Sequence, residues 1–210
     1  MSKEACAAGC AGSMGRRPSA SCKILLAGVA VAGGLIVNGC AGAVRSTSSQ
    51  DVSFRTGVLS TFAYAAADGE MNTVVVGNPF DMPQSALDRI VTDAMQGNHH
   101  GPRTTFTTTP SPDARPQYRI VMMFDRPRNM NRQQLCGPRE HLTPEPRGGR
   151  LHLATAFCAR NQLLSWVDSS IPTPASPDEP AFRRMIANAT FNLIPARDDD
   201  PGNRSSIAIF

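Results

Sequence analysis

Hydrophobic positions along this chain fall into two regimes that meet near residue 40. Before it, Ile24 to Val37 is an unbroken apolar run of 14 residues without a charge. Beyond residue 55 apolar residues recur instead at spacings of two, or of three and four, the periods of half-buried strands and helices. Thr56 to Ala66 alternates through Val58, Phe62 and Tyr64 and predicts a strand. Asp68-Gly69 is a hairpin turn signal leading to a second strand, Met71 to Gly77, whose valine run predicts burial on both faces. Gly77-Asn78-Pro79-Phe80 breaks that strand, and Asp81 is placed to cap a helix with Pro83 in its first turn. Ala86, Leu87, Ile90, Val91, Ala94 and Met95 form its apolar stripe, read as core, and Gly97 ends it.

Thr104 to Thr109, closed by Pro110, has the composition of an edge strand. In Gln117 to Phe124, Tyr118, Ile120, Met122 and Phe124 share one face, with Arg119, Val121 and Met123 opposite. That mixed second face predicts partial cover. Arg150 to Cys158 and Gln162 to Ser169 predict a hairpin across Ala159-Arg160-Asn161. His152, Ala154, Ala156 and Cys158 lie on one of its faces, with Leu151, Leu153 and Phe157 on the other; the small residues leave room for a covering segment. Ser176-Pro177-Asp178-Glu179 reads as a capping box with proline at the first helical position. Phe182, Met185, Ile186, Ala189 and Leu193 mark the helix that follows, closed by Pro195. The expected fold is α+β: one domain over 56–195, a mainly antiparallel sheet of about five to six strands with two amphipathic helices packed on one face. The acidic tail, 196–210, is expected to be disordered.

Arg16, Arg17 and Lys23 precede the apolar run, giving the order basic then apolar found in export signals. A helix of 14 residues spans about 21 Å, short of the roughly 30 Å hydrocarbon core of a bilayer, which disfavours a transmembrane anchor. The run ends in Val37-Asn38-Gly39-Cys40, which resembles the lipobox of bacterial lipoprotein precursors. Asn38 stands where that motif usually has a small or apolar residue. The resemblance implies cleavage of 1–39, diacylglycerol (and then palmitate-type) acylation at Cys40, and stable anchoring by more than one acyl chain. Met14 opens a compact basic region and is the expected start. Residues 41–55, small and polar, are expected to be a tether spanning roughly 20 Å. Ala41 after the lipidated cysteine implies, by resemblance to known sorting, an outer-membrane lipoprotein facing the periplasm.

Charge adds little once the leader is set aside. Four of the 21 basic residues and one of the 17 acidic ones precede Cys40, so 40–210 carries a net charge of about +1. Nothing in that balance points to a nucleic-acid partner. Cys6, Cys10 and Cys22 belong to the leader, and Cys136 and Cys158 remain. In an oxidising compartment that pair is expected to form a disulfide; two buried thiols are the alternative.

The longest irregular stretch is Asp125 to Gly149, and a loop of that length in a small domain is usually functional or disordered. Its Arg126, Arg128, Arg132 and Arg139 are available for acidic groups and make it the first place to look for a partner, the alternative being a solvated loop kept in order by one disulfide. His99-His100 has no third ligand at helical or strand spacing, so no metal site is expected. A hydrolase would have Asp125, His141 or His152 to use, with Ser165 and Asp168 also to hand. The chain has no Gly-x-Ser-x-Gly, no His-Glu-x-x-His and no cofactor-binding pattern, so no catalytic residue and no cofactor are assigned. From Gly77 to Pro195 the chain resembles an uncharacterised family of small exported bacterial proteins. The likeness rests on Gly77-Asn78-Pro79-Phe80, Ala156-Phe157-Cys158 and Asp178-x-Pro180-Ala181-Phe182-Arg183, and it implies no activity. The expected function is a membrane-tethered, non-catalytic binding, adaptor or assembly module for an envelope protein or a cell-wall component, with the hydrolase as the alternative.

Overall fold

The computed structural model describes residues 56–198. The lipobox, its cleavage site, the tether and 199–210 lie outside the described residues. No helix among those described is long and apolar enough to cross a membrane. The fold is α+β. Its elements are α1 (Val58–Ala65), β1 (Glu70–Val76), α2 (Gln84–Met95), β2 (Thr105–Thr107), β3 (Tyr118–Phe124), β4 (Arg150–Ala159), β5 (Gln162–Pro172) and α3 (Pro180–Leu193). The five strands form one sheet in the order β2-β1-β3-β4-β5.

The first expected strand is a helix. Val58 and Phe62 are four residues apart, a spacing compatible with both periods. What decides is that Tyr64 is 57% exposed and Ala65 2% exposed, the reverse of what alternation requires. Val58, Phe62 and Ala65 then form one helical face turned to the core. Asp68-Gly69 accordingly joins a helix to β1 rather than two strands. The start of α1 is held from the far end of the domain, where the Asp198 carboxylate accepts from Leu59 N at 2.7 Å and Ser60 N at 3.0 Å. These are free amides of a first helical turn, and the carboxylate also meets the positive end of the helix dipole. Asp198→Ala is therefore expected to cost about 1 kcal/mol, the usual worth of such a cap. The check is urea unfolding; an unchanged midpoint would mean that water satisfies these amides equally well.

β1 is followed by α2 and then by β2, which returns parallel to β1, because a parallel partner needs a crossover and α2 supplies one. β3 also runs parallel to β1, on its other side. From β3 onward the sheet is an antiparallel meander whose two pairings hold most of the registered residues. Two expected caps differ. α2 begins after Pro83 without a side-chain cap; Asp81 is exposed, and Asn78 organises the turn instead, donating to Met82 O at 2.7 Å and accepting from Phe80 N at 3.1 Å. Before α3, Ser176 Oγ accepts from Asp178 N and the Glu179 carboxylate from Ala175 N, so the Ser176 to Glu179 segment is a turn. The helix starts one residue later, with Pro180 in its first turn.

All three helices cover one face of the sheet. Their buried residues join Met71, Val75, Ile120, Met122, Phe124, Leu153 and Phe157 in the main core. Two of the short motifs noted in the sequence meet there: Phe80 and Phe182 stack edge-on at 5.0 Å between centroids. The turn after β1 requires glycine, because Gly77 has φ +86° and a Cβ there would stand 3.0 Å from Phe124 O.

The other face carries a second, smaller core, and here β3 departs from expectation. Val121 and Met123 are buried while Arg119 is half-buried, so on this face the apolar positions of β3 are covered more closely than expected. The cover is the long 125–149 segment. Its 3-10 turn Arg132–Cys136 lays Leu135 and Cys136 over β3, β4 and β5, and Leu142 closes the far side. Asn131 caps that turn through Gln133 N, and Gln134 returns the contact to Asn131 N. The Cys136–Cys158 disulfide, with Cα atoms 5.5 Å apart, bolts the turn to β4 beside Ala156 and Ala154. The room left by those small residues is the room the turn fills.

Candidate functional site

The hairpin register brings polar groups together on the sheet face that carries the long segment. His152 pairs with Ser170, Ala154 with Asp168 and Ala156 with Trp166. Alternation puts all six on one side. Toward Cys158 this face is closed by the 3-10 turn. Toward His152 it opens into a cavity of about 300 Å³ lined by Arg126, Arg147, His152, Asp168, Ser169 and Ser170, with Leu153 and Ala154.

Guanidinium groups dominate it. Arg126 stands 3.6 Å and Arg132 3.5 Å from the Asp168 carboxylate. Arg132 also lies flat over the Trp166 ring, 3.4 Å from its centroid, the geometry of a cation–π contact. Arg126 donates to the carbonyls of Pro127 and Met130, and its own carbonyl accepts from Arg147. The two ends of the long segment are thereby clasped. Arg150 donates to Ser170 O at 3.0 Å and Ser170 Oγ at 2.9 Å. One nitrogen on each of Arg126 and Arg147, the Nε, is buried without a hydrogen-bond partner among the described residues.

Burial lowers the pKa of His152, and the Arg147 charge lowers it further; Asp125 pulls the other way, and Arg150 and Arg128 add to the lowering. The folded protein thus favours a neutral imidazole. Because the unfolded histidine titrates near about 6.5, the unfolded chain binds more protons between that value and the lowered folded pKa. Stability is expected to be complete above about pH 6.5 and to fall as the pH drops through the folded pKa. Unfolding free energies at about pH 7.5 and pH 5.5 test this: His152→Gln should show a smaller decline than the unchanged protein, and an identical decline would clear His152 of the effect.

Of the four expected partner-binding arginines, Arg126 and Arg132 meet at Asp168. Arg128 is exposed and acts on His152 only through its charge. Arg139 donates to Val75 O at the end of β1 and takes no part in the cavity. Arg147, Arg150 and Ser170 were not expected; the face-sharing of His152 with Asp168 and Ser170 follows from alternation once the hairpin register is known. Asp125, His141 and His152 do not converge on one cavity. His152 lines the one above; Asp125 lines a neighbouring cleft of about 380 Å³ with Gly77, Phe124, Pro144 and Pro146; His141 lines neither. Asp125 has φ +51°, and its carboxylate accepts from His152 N at 3.1 Å, a structural tie between the end of β3 and β4. Ser165 faces α3 and donates to Leu193 O at 2.7 Å.

Among the described residues no group of three or more His, Cys, Asp or Glu side chains is placed to hold a metal. His99 packs edge-on against Phe62 and Phe106, and His100 lies on Phe191. What the cavity offers is positive charge, fixed donors and one neutral imidazole, the means to bind an anion. No family model, curated protein or solved structure matches this chain.

Proposed function

We propose that this chain is the precursor of an envelope lipoprotein, acylated at Cys40, whose folded domain is a non-catalytic binding module that takes an acidic group of its partner at the arginine-lined cavity. The observation that carries the binding half of this reading is the gathering of Arg126, Arg132 and Arg147 over the β4–β5 face, each held by an acceptor before any ligand arrives. Fixed guanidinium forks recognise carboxylates and phosphates with geometric selectivity. The address rests on the basic and apolar leader and on Val37-Asn38-Gly39-Cys40, and the Cys136–Cys158 disulfide suits export to an oxidising compartment. The partner, on this reading, is an envelope protein or a cell-wall component, and the outer membrane is the anchoring surface.

Two comparisons in living bacterial cells test it. Cys40→Ser is expected to release the protein from the membrane fraction and to remove the acyl mass; equal membrane retention at an unmodified mass would overturn the lipoprotein assignment. Cross-linking, followed by purification from the membrane fraction, is expected to retain a recurrent partner that is lost in the Arg126→Gln/Arg147→Gln double variant. Retention undiminished in that variant would overturn the assignment of the binding surface.

A further inference from the structure

We propose that the 300 Å³ cavity on the β4–β5 face is a site for a phosphate-type dianion, the headgroup of a phosphate monoester, held by Arg126 and Arg147 with Ser170 beside them. This rests on the binding-module reading and names the ligand class it takes.

Arg126, Arg132, Arg147 and Arg150 stand at or against the cavity, and the carboxylates that answer them are Asp168 and Asp125. That leaves a surplus of at least two positive charges. Asp168 already supplies a monocarboxylate to Arg126 and Arg132, so one more carboxylate would leave the surplus half answered. A dianion cancels it. The same count disfavours a cation, which would add to the surplus rather than answer it.

The second observation is independent of the charge count. The Nε atoms of Arg126 and Arg147 are buried, and neither has a hydrogen-bond partner among the described residues. A buried donor left unpaired costs about 1–3 kcal/mol, more when it belongs to a charged group. Both residues line the same cavity, so an oxyanion seated there would stand beside donors that the protein itself does not satisfy. A tetrahedral oxyanion has enough acceptors to meet both donors and still reach the Ser170 hydroxyl.

The third is fixation. Arg126 is held by the Pro127 and Met130 carbonyls and by Asp168, Arg147 by the Arg126 carbonyl, and Arg150 by Ser170. Binding therefore pays little to order these long side chains. The volume sets the limit on size: about 300 Å³ is at the small end of ligand cavities, enough for a headgroup and too little for a folded partner.

The test is calorimetric titration of the full-length chain, as purified from cells, at constant ionic strength. Inorganic phosphate and sulfate are expected to saturate one site and acetate to bind at least about tenfold more weakly, since the second charge is what the cavity answers. Arg126→Gln/Arg147→Gln should reduce phosphate affinity by about tenfold or more, whereas Arg139→Gln, outside the cavity, should leave it unchanged. Ser170→Ala, a deletion of one hydroxyl that is expected to leave the fold intact, should weaken binding a few-fold and guards against misfolding in the double variant. Flotation of the unacylated Cys40→Ser chain with vesicles separates the sources, because the acyl anchor would otherwise hold the protein on any bilayer. Retention on phosphatidic acid vesicles but not on phosphatidylcholine, reversed by free phosphate, assigns a lipid headgroup; saturation by phosphate without retention assigns a soluble ester. Either supports the site. Failure of phosphate and sulfate to saturate, acetate binding as tightly, or equal loss in Arg139→Gln would overturn it. If phosphate fails while the cross-linked partner still depends on Arg126 and Arg147, only the ligand class is wrong; if that dependence fails too, the binding surface falls with it.

Discussion

Replacing Cys136 and Cys158 together with alanine is expected to lower the stability of the domain by about 3 kcal/mol, the entropy that a cross-link over a loop of this length removes from the unfolded chain. The two cysteines are 22 residues apart in sequence, and both are buried. The bond ties the long 125–149 segment, which covers the second face of the sheet, to the end of β4. Without the bond it is held there by Leu135, Leu142, the Asn131 cap and the Arg119 guanidinium, which donates to the carbonyls of Cys136 and Gly137. These contacts are enough to place the segment and too few to replace the cross-link. Alanine is the right substitute, because serine would bury an unpaired hydroxyl and add its own penalty. Urea unfolding measures the change. A loss under about 1 kcal/mol would mean that the native contacts alone order the segment, or that the reduced unfolded chain keeps it compact. The same variant should bind phosphate more weakly than the intact protein, since Arg126, Arg132 and Arg147 are all carried by the segment that the bond secures.

The sequence displays local periodicity and hides the contacts made far along the chain. α2, β3, the β4–β5 hairpin and α3 are legible because each has a run of period two or of three and four, and β1 and β2 because their valine and threonine runs carry high β-propensity between turn signals. α1 is not, because the Val58 to Phe62 spacing fits both periods, and the deciding positions, Tyr64 and Ala65, need the burial of their neighbours to be read. The expected caps at Asp81 and at Ser176 failed for a related reason. A polar residue before a helix announces a turn, and whether it bonds to the helix or to the turn is settled by the chain's path around it. The pairing of β1 was illegible altogether: parallel partners are joined by crossovers, which leave no local mark comparable to a hairpin turn.

The candidate site divides along the same line. Arg126 and Arg132 stood out as basic residues in a long loop, but nothing local could say that Arg139 would turn to Val75 while Arg147 folded back on Arg126. The disulfide was legible from the cysteine count taken with the expected oxidising compartment, and it ties the loop to the face where His152, Asp168 and Ser170 share their alternation. A charge cluster made by fold-back is invisible until the fold is known. That also explains why the catalytic alternative does not assemble: Asp125 meets His152 through the His152 backbone N–H, the two line different cavities, and His141 lines neither.

Phe182→Ala is expected to be the most damaging single substitution of the main core, costing about 3–5 kcal/mol. Phe182 is fully buried at the start of α3. Its ring stacks on Phe124 at 5.6 Å and meets Phe80 edge-on at 5.0 Å, so one side chain joins α3 to the end of β3 and to the turn after β1. Truncation removes both ring contacts and leaves a cavity that three separate elements would have to close together. Phe182→Leu keeps most of the volume and should cost roughly a third as much, which separates packing from any effect on helix formation. Urea unfolding of both variants gives the comparison. Equal losses would point to the ring contacts, and losses under about 1 kcal/mol in both would mean that α3 is docked by Met185, Ile186 and Leu193 without its first turn. The consequence extends to binding. Phe124 is followed directly by Asp125 and Arg126, where the long segment leaves the sheet, so loosening the Phe124 ring loosens the root of the arginine cluster. Phosphate affinity should therefore fall in Phe182→Ala while the protein is still folded, although no atom of Phe182 lines the cavity.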